Sequence, residues 1–191
     1  MAEHKDLTGT DLHEPKGVAT ASHGEVYFAN GTGSGTWEAN LHNTHGEMLI
    51  QSNTTAEVTP TAVDPTLATD SDYTKIITGW SAGHTDGITF STDELVVPVD
   101  GDYFITAWAD ISIPSNNQKV AVKYAVNDAA PYSTRKMTCT SAAAGDVANV
   151  SAGGFVTLTA GDTLSLYIAT DKIGDPTVQE SGIVAFLVHE N

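Results

Sequence analysis

Cys139 is the only thiol in 191 residues, so neither an intrachain disulfide nor a cysteine-built zinc or redox motif can form. Basic residues are also scarce, 8 Lys+Arg against 24 Asp+Glu, for a formal net charge of −16. A surface that acidic repels phosphate backbones and anionic headgroups, so neither nucleic acid nor a membrane surface is an expected partner. No apolar run reaches membrane-spanning length. The opening Met-Ala-Glu-His-Lys-Asp lacks the apolar stretch of a signal peptide, and the expectation is synthesis in a reducing cytoplasm. Sustained helical periodicity is missing as well. Hydrophobic residues nevertheless make up 40% of the chain, enough to build a core.

What is present is strand alternation, and it is confined to the second half. Ile76, Thr78 and Trp80 alternate with Lys75, Ile77 and Gly79. Tyr103, Ile105, Ala107, Ala109 and Ile111 share one face of a strand, as do Val120, Val122, Tyr124 and Val126. Leu164, Leu166 and Ile168 follow, and residues 183–188 are apolar on both faces, as a central strand should be. Turn signals punctuate these runs at Asp100-Gly101, Asn127-Asp128, Gly153-Gly154, Gly161-Asp162 and Gly174-Asp175-Pro176. Short strands at that spacing predict an all-β sandwich over residues 71–191. Residues 52–70, rich in threonine with Pro60 and Pro65, read as a linker. Residues 1–51 read as an extended, polar arm with one short hairpin: Glu25-Val-Tyr-Phe-Ala29, a Gly-rich turn over residues 30–35, and a return strand through Trp37.

The second half resembles the C1q/TNF-like jelly-roll family. The likeness rests on Val99-Asp-Gly101-Asp-Tyr103-Phe104-Ile105, on Lys119-Val-Ala-Val-Lys-Tyr-Ala-Val-Asn127, on Gly154-Phe-Val-Thr-Leu158-Thr-Ala-Gly161-Asp162-Thr-Leu164-Ser-Leu166 and on Ser181-Gly-Ile-Val-Ala-Phe186-Leu187. The resemblance implies a jelly-roll sandwich and a threefold-symmetric homotrimer, with Tyr103, Tyr124, Tyr167 and Phe186 as expected interface residues. The first 40 residues resemble the N-terminal arms of tailed-bacteriophage virion proteins. This likeness rests on Asp6-Leu-Thr-Gly-Thr-Asp11-Leu12-His13-Glu14-Pro15-Lys16-Gly17-Val18 and on Gly24-Glu-Val-Tyr27-Phe-Ala-Asn30-Gly-Thr-Gly33-Ser34-Gly35-Thr-Trp37. It implies attachment to the major capsid protein through Leu7, Leu12, His13, Glu14, Pro15, Lys16, Val18, Val26, Tyr27 and Trp37.

Several tempting motifs have simpler readings. Gly79-Trp-Ser81-Ala-Gly83 has the spacing of a nucleophile elbow, but that device needs a strand-to-helix turn, and the residues after it cannot form a helix. The turn Gly31-Thr-Gly-Ser-Gly35 lacks the lysine and following helix of a phosphate cradle. His42-Asn-Thr-His45 has a ligand-like spacing but no scaffold to organise it, and acidic pairs such as Asp100/Asp102 lack the pattern of a calcium loop. No catalytic residue, cofactor or resident metal is expected. The chain reads as a trimeric capsid decoration (head-fibre) protein on the outer virion surface that binds and stabilises the shell through its arm. The alternative is a receptor-binding head of a tail or head fibre that takes a host cell-surface glycan.

Overall fold

The computed structural model describes residues 22, 25–29, 35–39, 44–51, 66–129 and 136–191, which fall in two compact units, Met1–Leu41 and His42–Asn191. In the first unit, β1 (Glu25–Ala29) pairs antiparallel with β2 (Gly35–Ala39). Tyr27 sits opposite Trp37 with ring centroids 5.3 Å apart, the cross-strand aromatic contact that steadies a hairpin.

The second unit is a sandwich of two antiparallel sheets. One contains β3 (His45–Ile50), β5 (Ser81–Asp86), β8 (Gly101–Ile113), β11 (Asp146–Leu158) and β13 (Thr177–Glu190), in the order β11-β8-β13-β3-β5. The other contains β4 (Thr74–Lys75), β6 (Thr89–Ser91), β7 (Glu94–Val96), β9 (Lys119–Val126), β10 (Met137–Thr140) and β12 (Thr163–Thr170), in the order β10-β9-β12-β7-β6, with β4 also on β12. The expected all-β jelly roll is therefore the observed fold.

Period-two alternation decides which side chains meet between the sheets. Along β8 every odd residue from Tyr103 to Ile113 is buried and every even one stays at least partly outside. Facing them, β12 contributes Leu164, Leu166 and Ile168, and β9 contributes Val120, Val122 and Tyr124, all buried. Each fully enclosed aliphatic side chain stabilises the fold by about 1.5–3 kcal/mol relative to its exposed state.

The far face of the second sheet is covered by its own chain. Leu67 and Tyr73 pack on Ala121, Ala169 and Tyr167, and the Lys123 ammonium lies 4.2 Å above the Tyr73 ring. Tyr73 donates to the Leu67 carbonyl at 3.1 Å, and Lys136 donates to the same carbonyl at 3.2 Å.

Three expected element boundaries need correction. His45–Ile50 belongs to the sandwich, hydrogen-bonded between β13 and β5, rather than to an arm ending at residue 51. Residues 66–70, placed in the linker, include the buried Leu67 and so cover the sheet. The alternating stretch 75–80 is a strand only as far as Lys75. Gly79 takes a positive φ of 85°, and the Trp80 indole turns back to donate to the Ile76 carbonyl at 2.7 Å.

Four of the five expected turns join strand ends, but Gly153-Gly154 lies inside β11, paired with Thr106 and Ile105 of β8, so that expectation is corrected. Asn127 and Asp128 both adopt positive φ, 55° and 49°, the type I′ signature that Asn and Asp tolerate. Asp162 accepts from the Thr159 amide at 2.8 Å and from the Asn127 side chain at 2.6 Å. Burial works against its ionised form, but these bonds outweigh it and lower its pKa from the ordinary 3.8. Asp128 anchors the neighbouring corner, where the Lys75 ammonium reaches Asp93 at 3.3 Å, Asp128 at 3.0 Å and Glu94. Ser165 and Tyr167 donate to the same Asp128 carboxylate at 2.9 and 3.0 Å. Partial burial opposes the charge on Lys75 and on Asp128, yet the mutual hydrogen bonds prevail, raising the lysine pKa and lowering that of the aspartate. The Tyr167 phenol is pushed up to about 12 by burial and by its bond to Asp128.

Lys75→Gln should therefore cost about 1–3 kcal/mol at pH 7, because three carboxylates lose their common cation. Urea denaturation across pH checks it. The wild-type advantage should be complete above Asp128's ordinary value of 3.8 and vanish as pH falls through its lower folded value. On the alkaline side, wild-type stability should decline as pH rises from 10 towards about 12, where folded Tyr167 ionises. A Lys75→Gln curve parallel to wild type from pH 7 to pH 2 would contradict this account.

Candidate interaction face

The outward face of the five-stranded sheet is built from the residues that alternate with the core set, and pairing register carries them into rows. Phe155 of β11 pairs with Phe104 of β8, Phe104 with Phe186 of β13, and Phe186 with His45 of β3. Three ring contacts lie along this row: Phe104–Phe155 edge-on at 5.3 Å, His45–Phe186 stacked at 5.9 Å, and His45–His84 stacked at 5.0 Å. Phe155 is 62%, Phe186 45% and Phe104 36% exposed, a large apolar display on so acidic a chain.

The adjoining rows are shaped by close approach and by polar pairing. Trp108 lies against Gly182 of β13, where an added Cβ would collide with the indole, so only glycine lets the ring lie down on the sheet. Beyond it, the Asn149 amide donates to Asp110. On the opposite flank Thr157 donates to Asp102 at 2.6 Å. The face thus has an aromatic stripe between rows of carboxylates that are already hydrogen-bonded.

The residues expected at a subunit interface divide. Phe186 lies in the aromatic stripe. Tyr103 and Tyr124 are wholly buried between the sheets, Tyr103 donating to the Val99 carbonyl at 2.9 Å, so neither stands on an exposed face of the chain. Tyr167 is on the far face of the other sheet, against Tyr73. Phe104 and Phe155 went unnoticed, although their signal was legible: both sit one residue out of phase with the core set of their strands.

Of the proposed arm contacts, Val26 is exposed on β1, and Tyr27 and Trp37 form the hairpin pair. Leu7, Leu12, His13, Glu14, Pro15, Lys16 and Val18 lie outside the described residues.

Ser81, of the elbow-like motif, opens β5 and donates to the Leu49 carbonyl at 3.1 Å, while His84 is turned to His45. Ser81→Ala should change unfolding free energy by less than about 0.5 kcal/mol, measured by denaturant titration, and should leave ester hydrolysis at the solvent background.

Comparison with known proteins gives a consistent assignment. The structure is similar to the globular domain of zebrafish complement 1qA protein at 16% identity and a TM-score of 0.54, covering 78% of this chain and 99% of that one. It is also similar to the Eiger TNF of S. frugiperda at 13% identity and a TM-score of 0.50, covering 78% and 95%. Curated protein sequences returned no significant match. The profile of the TNF (tumour necrosis factor) family matches residues 78–188, more than half of the sequence. The chain belongs to the TNF family.

Proposed function

We propose that this protein is a non-catalytic, homotrimeric component of a tailed-phage virion. In this reading the sandwiches associate through their five-stranded faces, and the N-terminal unit attaches the assembly to the outer capsid surface. The observation that carries the assembly is the exposed stripe of Phe155, Phe104 and Phe186 in a chain of net charge −16. Burying three rings against their symmetry mates supplies the apolar driving force, and aromatic side chains are the usual anchors of such contacts. The attachment role rests on the phage-arm resemblance of residues 6–37 and on the division of the chain at Leu41. Three arms on one trimer would multiply a modest single-arm affinity by about 10²–10⁴ through effective concentration. The net negative charge suits a protein held outside a shell packed with nucleic acid.

Light scattering should give the mass of three 20.0 kDa chains at micromolar concentration. The double variant Phe104→Ser, Phe155→Ser should be a monomer whose thermal unfolding stays within a few degrees of wild type, because both rings lie outside the core. A monomeric wild type, or a double variant that remains trimeric, would sink the assembly reading.

Truncation then tests attachment. The cut belongs after residue 41, because β3 contributes the buried Met48 and Ile50 to the sandwich. Residues 42–191 should form a folded trimer that no longer binds heads lacking the protein. Residues 1–41 fused to an unrelated trimer should still bind them. Equal binding by the truncated form would move the capsid contact onto the sandwich.

A further inference from the structure

We propose that His45 and His84 form a two-nitrogen site for a late first-row transition metal ion, with Zn²⁺ as the working probe. His84 stands on the edge strand β5 and His45 on its neighbour β3, and their rings lie nearly parallel, 8° apart. His45 Nε2 and His84 Nδ1 approach to 2.7 Å, so one ring donates its N–H to the lone pair of the other. That contact turns one nitrogen of each imidazole towards the other, within reach of a single ion.

Zinc binds imidazole nitrogen at about 2.0–2.1 Å, which in tetrahedral geometry sets two ligand nitrogens roughly 3.3 Å apart. Opening the pair by roughly 0.6 Å and turning the His84 ring so that both lone pairs converge accommodates the ion, a movement that side-chain torsions of the exposed His84 can supply. The proton that bridges the pair moves to the far nitrogen of the donating ring, so both rings remain neutral and no proton is released.

The surroundings are organised for this. Phe186 stacks on His45 at 5.9 Å and limits its ring orientation. Glu47 accepts from the His84 backbone amide at 3.2 Å, holding β5 against β3 at the bulge between Gly46 and Met48. Gly83 makes room for that carboxylate, since a Cβ there would strike it. Asp86, the cross-strand partner of His45, adds a second negative charge nearby, and the acidic chain as a whole concentrates cations at its surface. Among the described residues no ready-made set of three or more ligating side chains exists, so water completes the coordination and the ion stays exchangeable. Imidazole ligation favours Zn²⁺, Ni²⁺ and Cu²⁺ over Mg²⁺ or Ca²⁺. Both ligands belong to one chain, so the site needs no residue from a second copy.

Isothermal titration of Zn²⁺ into the full-length protein tests the inference, with imidazole NMR shifts as the second readout. One zinc per chain should perturb the rings of His45 and His84. His84→Gln and His45→Gln should each weaken that binding at least tenfold, and a His4→Gln, His13→Gln, His23→Gln variant should retain it. The proposal is overturned if the protein takes up no zinc. It is overturned equally if His84→Gln binds zinc as tightly as wild type, which would assign the metal to other histidines.

Discussion

A sandwich of two sheets has four faces and one core, and what becomes of the two outer faces governs the rest of this structure. The chain treats them differently. The second sheet is roofed by its own residues, with Leu67 and Tyr73 over Ala121 and Ala169, and the ammonium of Lys123 is enclosed beneath the Tyr73 ring. Over the first sheet, by contrast, the row of Phe155, Phe104 and Phe186 has no comparable cover among the described residues. Because β8 and β13 are central strands, the backbone carrying Phe104 and Phe186 is hydrogen-bonded on both edges before any partner arrives, while Phe155 stands on the edge strand β11. Preorganisation of this kind lowers the ordering cost of association.

Close approaches give that face its relief. Gly182 lets Trp108 lie against β13, and Gly46, on the inner side of β3, leaves space that Ile88 fills. Each glycine forgoes side-chain burial of its own and so weakens the strand locally. The gain is that a large neighbour packs where a Cβ would have excluded it. Corners are fixed by polar chemistry instead, with Asp162 bridging its own turn to Asn127 and Asp128 gathering Lys75, Ser165 and Tyr167.

Legibility in the sequence followed from these same devices. Strands with strict alternation and glycine or Asx turns were readable, because period and turn chemistry act locally: β8, β9, β12, β13 and the corners at Asn127-Asp128 and Gly161-Asp162 fall where the pattern put them. β3 was hidden because one of its three inward positions is Gly46, which reads as a break in an apolar pattern. The stretch 75–80 misled in the opposite sense, alternating correctly while Gly79 and the Trp80 indole bond turned it into a loop. Tyr103 and Tyr124 were assigned to an interface by analogy although their phase matched Ile105 and Val122, which are core residues. Phase decides such questions, and Phe104 is the outward neighbour that it selects. The His45–His84 contact joins residues 39 apart across a bulge, and no spacing rule anticipates it.

The carboxylates beside the aromatic row complete the picture of what this face demands from a partner. Left bare, Asp110 and Asp102 would need donors from a second chain or would oppose its approach. Instead Asn149 donates to Asp110 and Thr157 to Asp102, both from the neighbouring strand β11. Glu47 is engaged by the His84 amide. Their polar demands are met within the subunit, so these groups add little affinity, while their like charge still disfavours any docking that slides carboxylate rows over one another. Attraction is thus concentrated in the phenylalanine row, and the flanking acids act chiefly on register. In the proposed assembly such a face would select partners by alignment more than by strength, the property that a symmetric contact between identical chains requires.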